Sequence, residues 1–85
     1  MPKLNWEIIA SNIAEARKQL EGIEARIKSG DPPEPVEFQI MLQHAYHHLN
    51  FAWNARHWPT GRYARLTQED FEAGGKLPTD LGFAD

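Results

Sequence analysis

Three histidines fall within five residues of this chain: His44, His47 and His48. His44 and His48 stand four apart, one helical turn, so on a helix their imidazoles share a face and could hold a divalent cation between them. In a twofold dimer, two such pairs would supply four ligands. The same spacing also suits histidines at the edge of an aromatic interface, satisfied by backbone or by Tyr46 and Asn50. The sequence leaves both readings open. No glutamate follows His44 as a zinc protease would need, and the Glu-x-x-His element of di-iron bundles is missing. The nearest upstream carboxylate on the same segment is Glu37. The chain has no cysteine, which excludes disulfides, thiolate metal sites and a cysteine nucleophile. No cofactor is therefore required, and a divalent metal at His44 and His48 is the alternative.

A second group is Arg56-His57-Trp58-Pro59-Thr60-Gly61-Arg62-Tyr63-Ala64-Arg65. Guanidinium forks suit phosphate or carboxylate, and aromatic faces can stack on bases. Arg56, Arg62 and Arg65 are thus candidate anion ligands. Against that, Arg56 and His57 fall in the last turn of a helix, where cations offset the helix dipole. Arg62 and Arg65 have Glu69, Asp70 and Glu72 close by in sequence. The net charge of −3 does not favour nucleic acid as a partner. A pocket lined by Tyr46, Phe51, Trp53, Trp58 and Trp6 is a third possibility, though such aromatics more often form core or interface. Catalysis has little support. The only serines, Ser11 and Ser29, sit in no nucleophile motif, and Gly74-Gly75-Lys76 lacks the rest of a phosphate loop.

The elements that must position these residues are helices. Trp6, Ile9, Ile13, Ala16, Leu20, Ile23 and Ile27 follow alternating spacings of 3 and 4, a heptad seam over a helix spanning 5–28. Asn5 can cap its start and Gly30 its end. Residues 29–34 carry prolines that hold the chain out of helical geometry, and Pro35 can open a second helix over 35–58, stopped by Pro59. A link this short makes the two helices antiparallel neighbours. In the tail, Thr67 and Asp70 mark the start of a short helix over 68–73, ended by Gly74-Gly75. Leu77, Leu81 and Phe83 are spaced to anchor an irregular strap.

The sequence thus reads as one all-α domain of 85 residues, a long antiparallel helical hairpin with a short third helix. Phe38, Met41, Leu42, Ala45, Leu49, Phe51, Ala52, Trp53 and Trp58 spread apolar surface around most of the second helix. One neighbour cannot cover that much. These residues are expected to form an interface, two hairpins dimerising into a four-helix bundle. A small chain without disulfides gains a second subunit as its staple. No run is apolar enough to span a membrane, and the first residues lack a signal-peptide layout. The function expected is a cytoplasmic, homodimeric protein-interaction module without catalytic activity. A metal- or ligand-binding bundle using His44, His47 and His48, and an anion or nucleic-acid accessory protein, are the alternatives.

Overall fold

Asn5 shows how local chemistry starts this fold. Its side-chain oxygen accepts a hydrogen bond from the Ile8 N–H at 3.3 Å, capping helix α1, Trp6–Lys28. A computed structural model describes residues 3–82, so Phe83 lies outside the described residues. Gly30, at φ 83°, supplies the left-handed turn after α1. Helix α2, Pro35–Asn54, begins with its proline in the first turn, and the Glu34 N–H donates to the Glu37 carboxylate at 3.2 Å.

The two long helices run antiparallel. At one end Arg26 of α1 reaches Glu37 of α2 at 2.7 Å. At the other, the Asn5 N–H donates to the Arg56 carbonyl at 2.6 Å, and the Asn5 amide donates to the Trp58 carbonyl at 2.8 Å. This second tie accounts for the end of α2. The helix stops at Asn54 rather than running on to Trp58. Pro59 holds the residue before it out of helical geometry. Residues 55–58 instead form tight turns, with the Arg56 N–H donating to Trp53 and the Trp58 N–H to Ala55. Two short helices follow: α3, Thr60–Ala64, and α4, Gln68–Gly75. Thr67 caps α4, its hydroxyl accepting from the Asp70 N–H at 3.1 Å. The described residues contain no strand.

The α1–α2 seam differs in phase from the heptad pattern. Its α1 side is Ile8, Asn12, Ala16 and Ile23, all buried, facing Ala45 and Ala52 of α2. At 3.6 residues per turn this stripe lies roughly 70° around α1 from the centre of the isoleucine-rich seam. Small side chains explain the shift, since alanines let two helices approach closely and larger groups are pushed aside. Ile8, Phe51 and Ala55 form the core at the open end, with Trp58 and Tyr63 packed on it.

Helix α4 docks on α2 by its C-terminal end. Asn50 donates to the Gly75 carbonyl at 2.9 Å, and Asn54 donates to Gly74 and Lys76 carbonyls at 2.9 and 2.6 Å. Two amides four residues apart thus satisfy carbonyls that a helix end leaves unpaired. Gly74 lies flat on the Phe51 ring, and a Cβ there would come within 2.3 Å of two ring carbons. Phe51 is fully buried and cannot swing aside. Gly74→Ala is therefore expected to destabilise the protein by about 1–3 kcal/mol, against the helix preference of alanine. A urea midpoint that falls with an unchanged slope checks this.

Candidate functional site

A buried amide organises the centre of the molecule. Asn12 is 1% exposed. Its Nδ2 donates to the Ile8 carbonyl at 2.9 Å, which leaves Oδ1 as the acceptor. That oxygen lies 2.9 Å from Nδ1 of His48 and 3.3 Å from the Tyr63 hydroxyl. His48 must then carry its proton on Nδ1, which leaves Nε2 as an acceptor. Nε2 points at Nε2 of His44, 3.1 Å away, where the exposed His44 ring donates to it. The structure thus brings His44 and His48 together. His47 points elsewhere, its ring against Phe51 and Phe71, 5.1 and 5.0 Å between centroids. Among the described residues no group of three or more His, Cys, Asp or Glu side chains is gathered to hold a metal ion.

The arginines do not gather into one site. Arg56 lies over the Trp53 ring, 3.7 Å from its centroid, and reaches Asp80 at 3.4 Å. Asp80 also accepts from the Trp53 indole at 2.9 Å. Arg62 lies over Trp58 at 3.8 Å and pairs with Asp70 at 2.9 Å. Each guanidinium already has an aromatic face and a carboxylate. Arg65 forms no ion pair among the described residues.

The residues expected as interface divide into three groups. Ala45 and Ala52 are spent on α1, and Phe51 on α4, with Trp58 packed against Phe51. Met41 and Leu42 are half-buried, and Met41 comes near Gly22 of α1. Phe38 and Leu49 stay open, 43% and 41% exposed, and Trp53 is partly open. From α1 a row joins them that the sequence places inside the seam: Trp6, Ile13, Leu20 and Ile27, 66%, 46%, 45% and 60% exposed. Two shallow apolar depressions connect the helices on this side. One is lined by Trp6, Ile9, Leu49 and Trp53, the other by Leu20, Ile27, Phe38 and Leu42. On α2, Leu42 and His44 are two residues apart and so point about 160° apart. The open apolar face and the histidine pair therefore lie on opposite sides of the α1–α2 seam.

No family model, curated protein or solved structure matches this chain. Sequence reasoning missed Asn12 and placed Tyr63 only with the arginines, not with the histidines. The signal for Asn12 was its place in Ile8–Asn12–Ala16, a polar residue at helical spacing between small or apolar ones.

His47 and His48 both titrate below the usual histidine value of about 6.5. Burial is the first cause for each. The neighbouring His44 adds to it, and for His48 so does His47, while Glu15 opposes the shift. A depressed histidine pKa means that the unfolded chain takes up protons first. Its contribution to stability is complete above about pH 6.5 and falls as pH drops through the folded value. Asp70 and Glu37, both held low, act only further into acid. The melting temperature is expected to fall between pH 7.5 and 5.5, and His47→Gln to flatten that slope. Thermal melts by circular dichroism at fixed ionic strength measure both.

Proposed function

We propose that the chain is a homo-oligomeric protein-interaction module without catalytic activity. In it two hairpins pair their open apolar faces into a four-helix bundle. The observation that carries this is the row Trp6, Ile13, Leu20 and Ile27, exposed at seven-residue intervals beside Phe38, Leu42 and Leu49. A seven-residue apolar repeat is the pattern helices use to pack on other helices. The row is about 31 Å long, and with α2 beside it the strip is about 20 Å wide. That amounts to on the order of 600 Å², at the limit of what monomers expose and close to the ~800 Å² per partner of a stable complex.

The occupant is a second copy of the chain. Along α1, Arg17 pairs with Glu21 and Glu24 with Lys28, so both signs are present and already balanced. A strongly charged partner finds nothing to match. An identical face offers apolar surface of the same length and the same mixed rim. No helix among the described residues is long and apolar enough to cross a membrane. A cytoplasmic location belongs to the same proposal and rests on composition alone.

Sedimentation equilibrium at micromolar concentration tests the reading. The expected mass is twice 9.7 kDa. Ile13→Glu with Leu20→Glu should weaken association about 100-fold or more, since each carboxylate would enter the interface unpaired. A wild-type chain that remains folded and of single-chain mass at several hundred micromolar would overturn it.

A further inference from the structure

The histidine pair on the opposite side of the seam does not depend on the dimer. We propose that His44 and His48 form a two-donor site for a divalent transition-metal ion of the zinc class, held in its binding tautomer by Asn12.

Geometry is the first argument. Two imidazole nitrogens bound at 2.0–2.1 Å to a tetrahedral zinc ion stand about 3.3 Å apart. The two Nε2 atoms already face each other at 3.1 Å. Opening the pair by a few tenths of an ångström admits the ion. Both donors sit on one turn of α2, so α2 is not rebuilt.

Preparation is the second argument. A histidine ligand needs its other ring nitrogen protonated and held by an acceptor, which fixes the ring and directs the lone pair. His48 has this arrangement: Nδ1 is held by Asn12 Oδ1 at 2.9 Å, and Asn12 is itself turned by the Ile8 carbonyl. The acceptor is not incidental to the surface. It is a buried amide between two helices, and the Tyr63 hydroxyl donates to the same oxygen. Asn12 is thus a positioning residue. His44 completes the pair by moving its proton from Nε2 to Nδ1, which its exposed ring can do in water. No bond in the resting fold other than the His44–His48 hydrogen bond is given up.

With two protein donors, the remaining coordination positions fall to water or to a small ligand, as in an open rather than a structural metal site. The affinity is set by two bonds and a prepared ring, and the ion is exchangeable.

The test is a zinc titration of tag-free protein by calorimetry, with cobalt(II) absorption as the spectroscopic readout. One ion per chain is expected, bound about tenfold or more weakly by His44→Gln and unchanged by His57→Gln. His44 is exposed and, among the described side chains, bonds to His48 alone, so that variant retains the fold. Long-range nitrogen-15 spectra of the metal-free protein should show His48 protonated on Nδ1, and zinc should shift its Nε2 resonance. Absence of saturable binding below millimolar zinc would overturn the proposal. So would equal binding by His44→Gln, or a His48 protonated on Nε2.

Discussion

Burying the Asn12 amide between two helices constrains more of this molecule than any other single contact. An amide removed from water must find partners, or its desolvation is uncompensated. Asn12 finds three: a carbonyl on its own helix, an imidazole on α2 and a phenol on α3. Those partners exist only when α1 is turned to present Ile8, Asn12 and Ala16 to α2. The same rotation carries Trp6, Ile13, Leu20 and Ile27 outward. A single polar residue thus accompanies both the orientation of the histidine pair and the exposure of the apolar face.

The tail divides what remains of α2. Helix α4 covers Phe51 and His47, and its fit depends on two glycines: a Cβ on Gly74 would strike the Phe51 ring, and one on Gly75 would come within 2.9 Å of His47. Asn50 and Asn54 close the contact by taking up the terminal carbonyls. The tail leaves Phe38 and Leu49 open. It therefore seals one flank of the helix pair and leaves the other, which is why a helix apolar over so much of its circumference still has surface to place.

The beginnings of the elements were legible because caps are local. Asn5, Pro35 and Thr67 act on residues within a turn of themselves, and each sits where a helix starts. The phase of the seam was not legible. Periodicity counts isoleucines, whereas the buried stripes of α1 and α2 include Ala16, Ala45 and Ala52, whose small size carries little weight in a hydrophobic pattern. The end of α2 was hidden for a similar reason, since Asn5 ties down Arg56 and Trp58 from the far end of the chain. At the candidate site, the meeting of His44 and His48 followed from spacing. The partners that give it chemical meaning lie 36 residues from His48 and, for Tyr63, 51 residues from Asn12, distances no periodic pattern spans. Arg62 found its acid among the neighbours the sequence offered, Asp70; Arg56 found its own 24 residues on, in Asp80.

A chain this short buries a modest share of its surface, and its core is correspondingly small. Among the described residues seven apolar side chains are buried, and four of those are alanines, so little of the buried volume comes from large side chains. The larger apolar groups lie on the open face. Covering that face with an identical one adds burial where the single chain has least, and makes stability rise with concentration. The histidine pair draws on a different resource, the hydrogen bonds inside the α1–α2–α3 junction. Because the two surfaces point apart across the seam, occupying one leaves the other accessible. Both surfaces draw residues from α2, and the phase of α1 against it decides which side chains each presents.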